Sequence, residues 1–123
     1  MAIHVRFAGE IALLSGIGSL MNDPKHFDAG KDIQDLIQQG YLKFVMEMSG
    51  IRETGPTVLG LMTTLTRKIR QQHGEIVLAN VGKTMGRFLE EMRMEDYWEL
   101  FEETDLAISF LNKRRVGTPT VYE

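Results

Sequence analysis

Two hydroxyl groups flank a strand-to-helix turn, and they are the side chains of this sequence best placed to do chemistry. The stretch SGIRETGPTVLG, residues 49–60, follows the apolar run FVMEM and carries Thr54 and Thr57 on either side of Gly55 and Pro56. Proline suits the first helical position, so we predict Gly55 as the N-cap and Pro56 as N1. Thr57 then lies at N2, beside unpaired backbone N–H groups and the positive end of the helix dipole, where a phosphate would be stabilised.

This turn predicts a regulatory protein-binding site. Thr57 is the first candidate for phosphorylation, and Thr54, in the loop before the cap, is the second. Thr57 is otherwise a polar residue tolerated in the first turn of a helix, and that alternative stays open. The predicted partner-binding surface comprises the turn and the start of the helix: Arg52, Glu53, Thr54, Gly55, Pro56, Thr57 and Val58.

Other chemistry-bearing residues are scattered. His4, His26 and His73 have no spacing typical of a metal site, so we interpret them as surface histidines and predict no metal. The segment SGIGS contains G-x-G, but it lacks the third glycine and the acidic residue of a dinucleotide site. No nucleophile, base and orienting group occur together, so we predict no catalytic residue, no cofactor and no enzymatic activity.

Composition restricts the class of protein. With 123 residues, 43% of them hydrophobic and 25% charged, the chain is long enough for one soluble domain with a single core. A net charge of -3 does not favour nucleic-acid binding. The absence of cysteine excludes disulfides and thiol catalysis and fits the cytoplasm. No apolar run reaches membrane-spanning length, and the start MAIHVRFAGE is unlike a signal peptide, so we predict a cytoplasmic protein without membrane insertion.

Hydrophobic periodicity predicts the elements that position the turn. Ile3, Val5 and Phe7 alternate with polar residues and indicate a strand with one buried face, which pairs with residues 11–14 in an antiparallel hairpin. A helix capped by Asp23 and ending at Gly40 follows. The later predicted elements are a central strand over 42–48, the helix after the turn ending at Gly74, a strand over 75–79, a helix striped by Met85, Phe88, Leu89 and Met92, an edge strand over 97–101, and a last helix capped by Thr104 with the basic end KRR.

The order of elements and several short motifs together resemble a STAS domain, the fold of anti-sigma factor antagonists. Met48-Ser49-Gly50-Ile51 resembles the family's L-S-G-V strand end, and the following turn takes the place of its D-S-S-G-L-G. The segment HGEIVLANVGKTMGRFLEEMRMEDYWELFEETDLAISFL is similar to the family's later strands and helices. The resemblance implies an α/β fold with a mixed sheet of about five strands and about four helices, over residues 1–115, followed by a flexible tail over 116–123.

The chain departs from the family at the switch. The family's phosphorylated serine is preceded by an aspartate, and these two positions correspond here to Pro56 and Gly55. The next serine position holds Thr57, and the following glycine position holds Val58. Proline has no hydroxyl, so a phosphate could be accepted only at a displaced position.

The resemblance implies a regulator that binds an anti-sigma factor or a serine/threonine protein kinase. A homo-oligomer is compatible with the sequence, which leaves the oligomeric state open. A second interpretation is an unphosphorylated STAS subunit of a signalling scaffold or of a membrane transport system, which the replacement by Pro56 favours. A third is an α/β enzyme or phosphate-ligand binder that uses residues 54–57 as a phosphate loop.

Overall fold

A computed structural model describes residues 3–17, 29–51 and 54–114, and in those ranges it contains five strands and four helices. The order is β1 (His4–Ala8), β2 (Ile11–Ser15), α1 (Ala29–Gln38), β3 (Lys43–Glu47), α2 (Pro56–Gln71), β4 (Glu75–Ala79), α3 (Lys83–Glu91), β5 (Leu100–Phe101) and α4 (Thr104–Asn112). The predicted α/β class, with a mixed sheet, is confirmed. The proposed tail over 116–123 lies outside the described residues.

The five strands form one sheet in their sequence order. The β1–β2 pair is antiparallel and every later pair is parallel, as a hairpin followed by helical crossovers requires. The hairpin turn consists of Gly9 and Glu10, with Ala8 opposite Ile11. Because β3 has a neighbour on each side and is buried on both faces, the predicted central strand is also confirmed.

Side chains alternate between two hydrophobic clusters, one on each face of the sheet. The larger cluster takes inward residues of α1, α2 and α3, among them Ile33, Leu65 and Leu89. The smaller one lies under α4, where Ala107 and Leu111 pack on the other face of the strands. The candidate turn and α4 therefore belong to opposite faces of the sheet. Within the described ranges, no helix is long and apolar enough to cross a bilayer.

The two edge strands of the sheet differ from the prediction. Phe7 belongs to the apolar face of β1 but is 51% exposed, because β1 is an edge strand and the Phe7 ring is covered only in part by stacking on Tyr41, 4.6 Å between centroids. At the other edge, β5 is two residues long and not five. Trp98 lies two residues before this strand, and its side chain packs in the core at 3% exposure.

Helix boundaries also require correction. Glu103 is the N-cap of α4, so Thr104 is the first helical residue and not the cap. The helix ends at Asn112, and Lys113 follows as the C-cap. On α3, Met92 is 49% exposed since the helix has already ended at Glu91. The described part of α1 begins at Ala29, and the predicted cap Asp23 lies outside the described residues.

Candidate functional site

The turn begins at the carboxyl end of the central strand. After β3, the Met48 N–H donates to the Ala79 carbonyl at 2.8 Å, which holds the strand end against β4. Ser49 and Gly50 then turn in solvent, with Gly50 at a φ of 83°. Carboxyl ends of parallel strands share one edge of a sheet, and in α/β folds this edge commonly carries the binding site.

The predicted helix start is confirmed. Gly55 is the N-cap of α2, Pro56 follows at N1, and the Leu59 N–H donates to the Gly55 carbonyl at 3.1 Å. The Gly55 backbone has φ 141° and ψ -177°, a conformation open almost only to glycine. An aspartate, which the family resemblance would place here, would be strained in this conformation.

The predicted site residues divide by exposure. Thr54, Pro56 and Thr57 are exposed, and Gly55 is partly exposed. Val58 is 2% exposed and packs into the larger core cluster, so its inclusion in a partner-binding surface is corrected. The remaining two predicted residues, Arg52 and Glu53, lie outside the described residues.

The first turn of α2 is electrostatically open. No side chain caps it among the described residues, and it contains no acidic residue to offset the positive end of the helix dipole. The first N–H groups of a helix have no partner inside the helix, and Pro56 removes one of them. The backbone N–H groups of Thr57 and Val58 lie at the start of this helix and are therefore suited to bind an external carboxylate, carbonyl or phosphate acceptor.

Gly60 extends this surface, although it is not among the site residues predicted from the sequence. It is exposed in the interior of α2, and a Cβ added there would meet no atom within 4 Å. Thr57 lies three residues before Gly60, so the two share one face of the helix. A glycine inside a helical pattern was the available signal, because it costs about 1 kcal/mol relative to alanine.

A polar network at the same edge of the sheet was also missed. Glu47, at the end of β3, is only 7% exposed. Arg6 Nη2 donates to Glu47 Oε1 at 2.7 Å, and the Thr104 hydroxyl donates to Glu47 Oε2 at 2.8 Å. Asn80 Nδ2 in turn donates to Thr104 Oγ1 at 2.9 Å. The network joins β1, β3 and α4 directly behind the strand end that leads into the turn.

The histidines remain apart. His4 and His73 are exposed at different ends of the molecule, and His26 lies outside the described residues. Across residues 3–17, 29–51 and 54–114, no three histidine or acidic side chains are grouped so as to hold a metal ion.

Solved structures with the same architecture are known. A Thermotoga maritima protein, TM1081, solved as a candidate anti-sigma factor antagonist, superposes with a TM-score of 0.77 at 15% identity, over 90% of this chain and 95% of that one. An anti-sigma factor antagonist (STAS) domain protein from Planctomyces limnophilus gives 0.73 at 13% identity, over 90% and 98%. The phosphorylated form of the Bacillus cell fate determinant SpoIIAA gives 0.61 at 14% identity, over 89% and 99%.

The likeness lies in the fold and not in the sequence. No protein-family model and no curated protein sequence matches this chain. The superpositions nevertheless cover nearly the whole of each solved chain, so the five-stranded mixed sheet with four helices of this chain matches their fold. The chain therefore has the STAS fold of the anti-sigma factor antagonists.

Proposed function

We propose that this chain is a non-enzymatic, cytoplasmic protein-binding regulator that binds an anti-sigma factor or a serine/threonine protein kinase through the turn at the start of α2. The observation that carries the proposal is the exposure of Thr54, Pro56 and Thr57 at an uncapped helix end on a STAS fold. The partner surface comprises these residues with Gly55 and Gly60, and it includes Arg52 and Glu53 as predicted from the sequence.

The chemistry of the turn favours an acceptor on the partner. The open N–H groups and the positive dipole end attract a carboxylate or a carbonyl oxygen, and no acidic side chain in the first turn of α2 opposes it. The fixed geometry of Pro56 lowers the entropy that the turn loses on binding. A partner loop presenting an acidic residue would therefore be bound by an already ordered site.

Gly60 supports a close approach of the partner. The domain's own packing does not require a glycine there, since a methyl group would meet open space. Because Gly60 has no side chain, a partner's backbone can lie directly on the helix, one turn after Thr57. On this proposal the stability lost by having glycine in a helix is recovered in the complex.

Phosphorylation of Thr57, or secondarily of Thr54, would regulate the interaction. A phosphate on Thr57 adds about 1.5 to 2 negative charges and would be held by the helix end itself. It would then occupy the N–H groups that the partner's acceptor needs and repel an acidic partner loop. Each 1.4 kcal/mol of this competition weakens binding about tenfold.

The binding surface can be tested with matched substitutions on one helix face. Thr57→Asp mimics the charge at the turn, and Thr64→Asp places the same charge on an exposed residue seven positions further along α2, about 10 Å away. Wild type used as bait in a lysate of its source should capture an anti-sigma factor or protein kinase, identified by mass spectrometry. Thr57→Asp should reduce capture at least tenfold, whereas Thr64→Asp should leave it nearly unchanged.

The substitution Gly60→Ala is a second test of the binding surface. It should raise the stability of the free domain by about 0.5–1 kcal/mol and still weaken partner binding. Loss of binding in a more stable protein cannot be attributed to misfolding. Equal capture by wild type, Thr57→Asp and Gly60→Ala would show that the partner binds elsewhere.

The phosphorylation site has its own test. After incubation with the captured kinase and ATP, intact-mass measurement should show one added phosphate on wild type and on Thr54→Ala, and none on Thr57→Ala. Addition to Thr57→Ala but not to Thr54→Ala would move the site to Thr54. No addition to wild type would remove the switch and leave constitutive binding.

One observation favours a second candidate function. Pro56 stands where the STAS pattern has its phosphorylatable serine, and Gly55 adopts a conformation that excludes the accompanying aspartate. A STAS subunit that is never phosphorylated, in a signalling scaffold or a transport system, would need neither. Capture of scaffold or transporter proteins by wild type, without phosphate addition, would support this function over the first.

A further inference from the structure

We propose that the exposed face of α4 is a self-association surface, on which two copies of this chain pack their α4 helices antiparallel about a two-fold axis near Ser109. The proposal concerns the face of the sheet opposite to α2 and does not depend on the proposed function. It would leave both α2 turns of a dimer accessible.

The exposed face of α4 has a large apolar side chain at a position where the surface of a monomer would usually be polar. Leu106 is 51% exposed, whereas Ala107 and Leu111, on the inner face of α4, are completely buried. Ser109 lies three residues after Leu106, is exposed, and is small enough to let a second helix approach closely. The half-buried Phe110, which packs on Phe101 at 5.2 Å between centroids, borders the same surface.

The charges of the helix are complementary to those of an antiparallel copy. Asp105 lies four residues before Ser109, and Lys113 lies four residues after it; both are exposed. Within the described ranges neither of them forms an ion pair, while the neighbouring Arg114 is already paired with Glu75. A two-fold axis at Ser109 places each Asp105 opposite Lys113 of the second copy, which makes two ion pairs from one symmetric contact.

This charge pattern favours an antiparallel second copy as the molecule that covers the exposed face of α4. A parallel copy would oppose Asp105 to Asp105 and Lys113 to Lys113, which is unfavourable. In the antiparallel arrangement Leu106 lies over Ser109 and the aliphatic stem of Lys113 of the second copy, so apolar and charged contacts coincide. A surface that complements itself in this way fits a second copy of the same chain.

The dimer should be weak and sensitive to salt. A helix of nine residues is about 13 Å long, which is short for the roughly 800 Å² per partner of a stable interface. Exposed ion pairs are also screened by salt. We therefore expect reversible association in the micromolar range that declines as ionic strength rises.

A charge-swap experiment tests the arrangement. Asp105→Lys and Lys113→Asp each convert both cross-dimer pairs into like-charge pairs, so each variant alone should self-associate at least about tenfold more weakly than wild type. Mixing the two variants restores opposite charges at both positions, and a heterodimer should form with nearly wild-type affinity. Sedimentation equilibrium over a concentration series, with one variant fluorescently labelled for the mixture, measures all three.

Two controls complete the design. Glu90→Lys changes the charge of an exposed residue on α3 by the same amount and should leave self-association unchanged. Leu106→Ser should weaken it without changing the charge. A monomeric wild type at millimolar concentration, or single variants that dimerise as well as wild type, would overturn the proposal. Since none of these residues touches the α2 turn, partner capture reports on the proposed function separately.

Discussion

At the scale of single residues, the hydrogen bond between Trp98 and Thr66 fixes the centre of the larger core. Trp98 Nε1 donates to Thr66 Oγ1 at 2.8 Å, and the Thr66 hydroxyl donates to the Met62 carbonyl at 2.7 Å within α2. Thr66 is completely buried and Trp98 is 3% exposed. Because both groups are shielded from water, the threonine hydroxyl serves as the acceptor that the indole N–H needs.

Thr66→Val should destabilise the domain by about 1–3 kcal/mol, because it preserves the side-chain shape but leaves the indole N–H without its acceptor. Thr66→Ser retains the hydroxyl and loses one methyl group, so we expect a loss of about 0.8 kcal/mol. Urea unfolding followed by the fluorescence of Trp98, the single tryptophan, measures both variants. A serine variant less stable than the valine variant would contradict the assigned role of this bond.

At the scale of elements, one glycine inside α2 and one just after it differ in how much space surrounds them. Gly60, near its start, faces open space, whereas Gly74, after its end, is enclosed. A Cβ at Gly74 would lie 2.7 Å from the Leu42 carbonyl oxygen and 2.9 Å from Ile69 Cγ2. The Gly74 position lets α2 return closely to the sheet, where the Glu75 N–H donates to Leu42 O at 2.8 Å.

The same substitution at the two glycines should therefore have opposite effects. Gly60→Ala should increase the free energy of unfolding by about 0.5–1 kcal/mol through helix propensity. Gly74→Ala should decrease it by about 1–3 kcal/mol, because the methyl group overlaps backbone atoms that cannot move alone. Thermal and urea unfolding give both values. If Gly74→Ala were neutral, the close packing of α2 on the sheet would be incorrectly described.

At the scale of the whole molecule, the Glu47 network links the edge strand β1, the central strand β3 and α4, the helix on the face of the sheet opposite to α2. It connects residues far apart in sequence, with Arg6 and Thr104 on either side of the carboxylate. Arg6 has a side-chain exposure of 65%, so its ion pair is largely solvated and contributes about 0–1 kcal/mol. The Thr104 hydroxyl is part-buried, and Glu47 depends more on that donor.

Thr104→Val should therefore destabilise the domain more than Arg6→Ala does. We expect a loss of about 1–3 kcal/mol for Thr104→Val, since a buried carboxylate oxygen and the Asn80 amide both lose their partner, and less than about 1 kcal/mol for Arg6→Ala. Thr104→Ser, which keeps the hydroxyl, is the control. Urea unfolding at low and high salt checks the ranking, because salt should diminish only the Arg6 contribution.

The sequence by itself determined the local features of this protein. The hairpin around Gly9, the start of α2 at Pro56 and the order of strands and helices depend on residue periodicity and on the fixed geometry of proline and glycine, which act over a few neighbours. The positions of Thr54 and Thr57 at the edge of the sheet followed from the same local signals, and with them the exposed part of the candidate site.

Only the tertiary structure decided which side chains meet across the fold. Phe7 has the period of a buried residue, and its exposure depends on β1 having no neighbour beyond it in the sheet. Thr104 has the pattern of a helix cap, and its hydroxyl instead binds a carboxylate 57 residues earlier in the chain. Periodicity registers the average surroundings of a residue, whereas hydrogen-bond partners, edge positions and facing helices are set when distant segments pack together.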